Sequence, residues 1–359
     1  MTLFSKKSAM KTENLTKLLK DNPITTSAPC RIDFGGTLDI SSFHYPLRNL
    51  KPTTVNLALD MRTTVRLEAG DGNGIRISSA GFEDAVYDAG TAPYDHPLGL
   101  MFAVADYFGA RGVHIRIHST SPPKSGLGGS SVAAVALVKA FSTVGAHLGH
   151  GEFSRSKTAL LAHAIEQGAA GVPCGMQDQL AAAFGGVNAW SWPADPGKEP
   201  FVRHPLLEIS ALDRLNRRLV VAYLGVSHVS KDVNGTWMRQ FACGEHRGKW
   251  AEIIGLVRTF ADALKRLDIS AAAEAMNRET AIRKAMTPQV LDNLGDSLAT
   301  AATECRCGAR FTGAGGGGCM WALGEPDDVA ALKARWQELL ARRATAALLD
   351  CRLDPGGLS

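Results

Sequence analysis

The sequence predicts an α+β protein built from two units. Three observations carry this. Short alternating strand patterns crowd the first 120 or so residues, helical patterns then accumulate without regular βαβ alternation, and 359 residues exceed one typical domain. Trp, Pro, Asp and Gly gather in WSWPADPGKEP (190–200), so the division is expected after residue 205, with an N-terminal unit over 1–205 and a C-terminal unit over 206–359.

The opening twenty-odd residues read as a short polar helix ending before Pro23. PCRIDF (29–34), TTVNLALD (53–60), TTVRLEA (63–69) and GIRISSA (74–80) alternate apolar and polar residues and favour Thr, Val and Ile, as half-buried strands do. PLGLMFAVADYFGA (97–110) has helical spacing. VHIRIHS (113–119) alternates cleanly, and we read His114, Arg116 and His118 as a solvated strand face rather than a metal site. A helix is expected from about Ser130, then others over 154–168 and 178–185, joined by a glycine-rich connection at 168–176. RRLVVAYLG (217–225) reads as a strand opening the second unit. Helices are expected around 245–266, 269–283 and 288–304, then the glycine run FTGAGGGGCMWAL (311–323) and a last helix over 326–344.

Composition excludes several classes of function. The chain is 45% apolar and 21% charged, ordinary for a globular protein. Its 39 Lys and Arg against 35 Asp and Glu leave a formal +4, spread too evenly for a nucleic-acid or membrane surface. Seven scattered cysteines without a CxxC pair suit reduced thiols. The N-terminal stretch lacks the continuous apolar segment of a secretory signal, and no run approaches the ~18 apolar residues of a membrane helix. A cytoplasmic protein is expected.

The chemistry concentrates in SPPKSGLGGSSVAAVALVKAF (121–141). A strand, a glycine loop and a helix form the geometry of an anion site, because glycines let backbone N–H groups approach closely and the helix dipole adds positive potential. Ser130 or Ser131 would cap the helix, and a hydroxyl there would suit a nucleotide-borne Mg²⁺. The loop is neither a Walker A motif, which ends Gly-Lys-Ser/Thr, nor a dinucleotide fingerprint, which needs glycine where Ser131 stands. From the loop alone, a phosphate cradle and a plain glycine turn are equal alternatives. Two further segments bear on the choice. FTGAGGGGCMWAL packs five glycines together at a large cost in backbone entropy. IEQGAAGVPCGMQDQLAAAFGG (165–186) carries Glu166 and Asp178 on either side of a Gly/Pro loop, a pattern suited to metal binding and general-base work, although Asp178 is also a candidate N-cap.

Three motifs together resemble the GHMP kinases: APCRIDFGGTLDIS (28–41), PPKSGLGGSSVA (122–133) and FTGAGGGGC (311–319). GVPCGMQDQ (171–179) is similar to galactokinases. GMQDQLAAAFGG with PPKSGLGG is similar to kinases acting at the anomeric position of D-glycero-D-manno-heptose 7-phosphate. The resemblance implies an N-terminal domain like the second domain of ribosomal protein S5 and a ferredoxin-like C-terminal domain, with the active site between them. It implies a cytoplasmic kinase that uses ATP and Mg²⁺ on a sugar or sugar phosphate. Asp178 matches the catalytic base, and Arg31 the arginine that acts electrostatically on that base and on the transferring phosphoryl group. Ser130 and Glu166 match the Mg²⁺ ligands, with Ser131 an alternative hydroxyl. Asp39 matches the sugar-hydroxyl ligand, and Arg31, Gly175 and Asp178 complete the acceptor site. Pro123, Lys124, Gly126, Leu127, Gly128, Gly129, Ser130 and Ser131 would cradle the ATP phosphates, with Gly313, Ala314, Gly315 and Gly316 bordering the transferred group. RIDFGGTLD is one residue shorter than the common sugar-kinase spacing and lacks Gly-Glu-His, departures that tell against a galactose-specific pocket. Lys124 reads equally as a phosphate contact or a solvated side chain, and Ser227, His228, Ser230 and Lys231 as cleft lining or a surface turn. A mevalonate- or homoserine-type kinase and a non-catalytic sugar sensor are the alternative functions.

Overall fold

The structure is a computed structural model that describes residues 12–171, 174–195, 197–226 and 230–359, with backbone only at 12–14 and 230–232. The first unit comprises α1 (Thr12–Asp21), β1 (Ile24–Phe34), α2 (Ser41–His44), β2 (Thr53–Ala69), β3 (Ile75–Ser79), β4 (Ala85–Tyr87), α3 (Gly99–Tyr107), β5 (Val113–Ser119), α4 (Gly129–His147), α5 (Arg155–Ala170), α6 (Gln177–Phe184), β6 (Val187–Ser191) and β7 (Val202–Pro205). The second comprises α7 (Leu212–Asn216), β8 (Leu219–Tyr223), α8 (Ser230–Ala242), α9 (Arg247–Arg266), α10 (Ile269–Met286), α11 (Asn293–Glu304), β9 (Gly308–Phe311), β10 (Cys319–Leu323), α12 (Pro326–Leu340) and β11 (Ala347–Leu349).

The strands form a seven-stranded sheet in the order β4-β3-β5-β2-β6-β7, with β1 on β2, and a four-stranded sheet in the order β11-β8-β10-β9. β3 and β5 run parallel; every other pair among the described residues is antiparallel. The segments at 53–60 and 63–69, expected as two strands, are one continuous β2. β1 pairs along its length, with a register shift between Pro29 and Cys30. Proline has no N–H to give the ladder, so the irregularity falls where pairing is weakest. The Asp60 N–H at this break donates instead to the Arg352 carbonyl, 2.8 Å away.

α4 is the central helix of the first unit, packed on β1 and β2. Val132, Ala134, Val135, Leu137 and Val138 are fully buried. By length and mean hydropathy (1.4) it matches a membrane span, which corrects the expectation that no run is long and apolar enough. It is 72% buried within the protein, which is why it carries so few charges.

The strands β4, β6, β7, β9 and β11 and the helix α8 were not expected as such. Each of these strands has five residues or fewer, too short for a periodic signal. His114 is buried and bonds Ser78 Oγ at 2.8 Å, so the solvated face of β5 holds for Arg116 and His118 alone. All seven cysteines are unpaired. Residues 352–359 return from the second sheet to the first. The Asp354 N–H donates to the Ala58 carbonyl at 2.9 Å, Ser359 pairs with Ser27, and Arg62 binds Asp354 and the Gly357 carbonyl.

Candidate active site

A cavity of about 620 Å³ opens between the loop ahead of α4, the turn after β1, the start of α6 and the Gly313–Ala314 corner of the second unit. Arg31, Asp39, Glu166, Gly175 and Asp178 all line it, as do Pro123, Lys124, Gly126, Gly128, Gly129, Ser130 and Ser131. Leu127 is fully buried and lies off the cavity wall, its carbonyl accepting the Arg31 N–H at 3.2 Å. Gly315 and Gly316 also lie off the wall. Gly316 N–H donates to the Val290 carbonyl at 2.9 Å, and a side chain on Gly315 would press on that carbonyl. The side chains of Ser227, His228, Ser230 and Lys231 lie outside the described residues.

The loop takes its shape from two left-handed glycines, Gly126 (φ 75°) and Gly128 (φ 80°). Gly128, not a serine, is the N-cap of α4, so no side chain takes up the first N–H groups of that helix. A Cβ there would also stand 3.1 Å from Asp178 Oδ2. Ser130 and Ser131 therefore sit inside the first turn, both hydrogen-bonded to Glu166; Ser130 Oγ donates to Glu166 Oε1 at 3.2 Å. Gln179 Nε2 donates to the other oxygen at 2.6 Å. Burial pushes the Glu166 carboxyl up, and these hydrogen bonds work against the rise.

Asp178 lies in the first turn of α6, whose N-cap is Met176, so Asp178 is not a cap. Its Oδ1 accepts from Arg31 Nε at 2.7 Å. Arg31 projects from β1, and its Nη1 also donates to the Gly126 carbonyl at 2.6 Å. Burial opposes the charge on Arg31, but the carboxylates of Asp178 and Asp33 outweigh it and hold the guanidinium above its ordinary range. Asp39 is buried, accepting from the Gln177 N–H at 3.1 Å. A side chain on Gly175 would overlap the Asp39 carboxylate, so glycine is required there by close approach.

Beneath the cavity runs a series of alternating charges that motif spacing did not reveal. Arg31 lies 3.4 Å from Asp33, Asp33 3.1 Å from Arg310, Arg310 2.9 Å from Glu279, and Glu279 2.8 Å from Arg283. Asp33, Glu279, Arg283 and Arg310 are fully buried. The other Asp33 oxygen accepts the Gly313 N–H at 2.6 Å, tying the second glycine loop to the strand that carries Arg31. Ile117, Leu98, Met101, Pro97 and Phe82, drawn from elements scattered between β3 and β5, give the cavity part of its apolar lining.

Burial raises the Asp39 carboxyl to about 7, with Asp178 adding to the rise and the Gln177 N–H opposing it. The folded value thus lies above the unfolded one of about 3.9, so the folded state binds the proton more tightly. Its contribution to stability is present at low pH and is lost as pH rises through about 4 to about 7. Moving from pH 5 to pH 8, Asp39→Asn should gain about 2 kcal/mol over the wild type in denaturant unfolding. No relative gain would mean that Asp39 folds as an ordinary ionised carboxylate.

Residues 96–186 match the GHMP kinases N terminal domain and residues 260–342 match GHMP kinases C terminal. The chain is 28% identical to a mevalonate kinase of Pyrococcus abyssi over 294 residues, 74% of this chain and 80% of that protein. It is also 28% identical to the D-glycero-alpha-D-manno-heptose 7-phosphate kinase of Campylobacter jejuni over 223 residues, 59% of this chain and 61% of that protein. The crystal structure of Lactococcus lactis galactokinase complexed with galactose superposes with a TM-score of 0.73 at 17% identity, covering 97% of this chain and 98% of that one. The two-unit fold expected from the three motifs is the fold observed.

Proposed function

The chain belongs to the GHMP kinase family, and from that premise we propose that it transfers the γ-phosphoryl group of ATP to a sugar or sugar phosphate, at the anomeric hydroxyl. The observation that carries this reading is the Arg31–Asp178 pair, 2.7 Å apart, beside the glycine loop that caps α4. Asp178 accepts the proton of the attacking hydroxyl, and Arg31 stabilises negative charge on the phosphoryl group in flight. The N–H groups at the start of α4 face the ATP phosphates, with Gly126, Gly128 and Gly129 keeping that approach free of side chains. The cavity's apolar lining suits the adenine ring, which no sequence motif located. Glu166 and the Ser130 hydroxyl are hard oxygen donors 3.2 Å apart, which fits Mg²⁺. When bound, such an ion would neutralise charge on the phosphates. Among the described residues no cluster of three or more His, Cys, Asp or Glu could hold a metal, so the remaining donors would be phosphates and water.

Asp39, Gln177 and Asn234 supply hydrogen-bonding groups at the acceptor end, which suits a polyol. The buried Asp39 carboxyl hydrogen-bonds a hydroxyl in either protonation state, and its ionised form would repel a small carboxylic acid such as mevalonate, whereas a sugar phosphate carries its charge far from the anomeric hydroxyl. The likeness to a mevalonate kinase keeps that acceptor class as the second reading. ATP consumption measured against free hexoses, heptoses, their phosphates, mevalonate and homoserine tests both. Acceptor-dependent turnover with a sugar, giving an acid-labile product phosphate, supports the first. Turnover with mevalonate alone replaces it with the second, and ATP consumption stimulated by none of them removes the kinase reading.

A further inference from the structure

The turn that carries Asp39 is held in an unusual conformation by a residue from the other unit. Thr37 has φ 84°. This is the left-handed region, where a β-branched residue is a genuine outlier and strain persists only if the surroundings impose it. Those surroundings are on the second unit. Arg283, on α10, donates Nη2 to the Gly36 carbonyl at 2.7 Å and Nη1 to Thr37 Oγ1 at 3.3 Å. Thr37 Oγ1 in turn donates to Asn234 Oδ1 of α8 at 3.3 Å.

Arg283 is itself fixed. Its Nε donates to Glu279 Oε1 at 2.8 Å, and its guanidinium carbon lies 4.6 and 4.7 Å from the ring centres of Trp237 and Trp250. Those rings meet edge to face, and the Trp237 indole N–H is anchored on Thr287 Oγ1 at 2.8 Å. The far end of the same turn is also clamped from the second unit, because Phe43 of α2 packs on Trp250 at 4.4 Å and on Phe241 at 5.0 Å. Asp39 lies between these two attachments.

We infer that Arg283 is a positioning residue of the acceptor site, holding the Gly36–Thr37 turn in its strained conformation so that Asp39 stands in the same cavity as Asp178. Acceptor recognition by the first unit thereby depends on a buried side chain of the second. The kinetic part of this inference rests on the kinase reading above; the structural part does not. A planar fork with several donors is needed to reach a carbonyl and a hydroxyl together, and lysine cannot reproduce it although it keeps the charge opposite Glu279.

Arg283→Lys is the primary test, and Arg283→Met/Glu279→Gln is the second variant, charge-balanced in case the first folds poorly. Each should raise the acceptor KM about tenfold or more, the size set by strain of this kind, while the ATP KM stays within about twofold. Amide hydrogen exchange at residues 36–40, measured without ligand, should quicken about tenfold, with residues 126–131 unchanged. Adding Thr37→Gly removes the strain and should recover at least about threefold of either loss, a rescue that a mere core defect would not show. Unchanged exchange at 36–40 in both variants overturns the inference, and so does a loss that Thr37→Gly fails to reduce. Absence of acceptor turnover in the wild type would sink the kinase reading while the exchange measurements still decide the role of Arg283.

Discussion

Asp178→Asn is expected to lower turnover by about 10²–10⁴-fold while nucleotide affinity stays within a few-fold of the wild type. The reasoning is geometric. Asn keeps the shape of the side chain and an oxygen for Arg31 Nε, which lies 2.7 Å from Asp178 Oδ1, so the Arg31 and Gly126 arrangement survives. What disappears is the group able to take the proton from the acceptor hydroxyl. The glycine loop and the start of α4 are untouched, so the nucleotide should bind as before. Single-turnover transfer together with calorimetry of an ATP analogue separates the two effects. Turnover close to wild type would show that the proton goes elsewhere and would remove Asp178 from the mechanism.

Asp33→Asn is expected to destabilise the fold by about 3–5 kcal/mol, far more than Asp178→Asn. Asp33 is fully buried between two guanidinium groups, Arg310 at 3.1 Å and Arg31 at 3.4 Å, and it also accepts the Gly313 N–H at 2.6 Å. Neutralising it leaves the buried cations with less countercharge and turns an amide toward groups that are all donors. Asp178 is a fifth exposed, so solvent softens the equivalent change there. The two variants therefore dissociate: one loses chemistry and keeps stability, the other loses both. Urea unfolding of the pair provides the measurement, and equal midpoints would show that Asp33 contributes little beyond its shape.

These contrasts also separate what local sequence specifies from what it does not. Asp178, Glu166 and the glycine loop stand out because their residue types are unusual in sequence: a glycine cluster ahead of an apolar helix, and acids flanking a Gly/Pro loop; Arg31 follows only from the resemblance. The start of the helix expected over 154–168 holds to within a residue, because the Ser154 hydroxyl caps α5 by accepting the Lys157 N–H at 3.2 Å, whereas the helix expected over 288–304 begins only at Asn293. Gly315 and Gly316 were legible as glycines but not by orientation, since only packing against Val290 turns them from the cleft. Likewise Ser130 and Ser131 suggested caps, whereas the backbone places Gly128 at that position and sends the Ser130 and Ser131 hydroxyls to Glu166. Glu279, Arg283 and Arg310 offered no signal, because charged residues on helices and strands usually mark solvated faces.

The sequence motifs carry the resemblance to the family, and the sequence by itself also shows the two-unit α+β character and a set of groups able to handle a phosphate and a proton. Local chemistry determines these: backbone conformations open to glycine, apolar periodicity, and the acid and base strengths of single side chains. The tertiary structure alone decided which of those groups share one cavity, which turn away from it, and what lies beneath. The charge series from Asp178 through Arg31, Asp33, Arg310 and Glu279 to Arg283 joins residues far apart in the chain. Burial makes each of these charges depend on its neighbour, a dependence that arises only once the two units close around them.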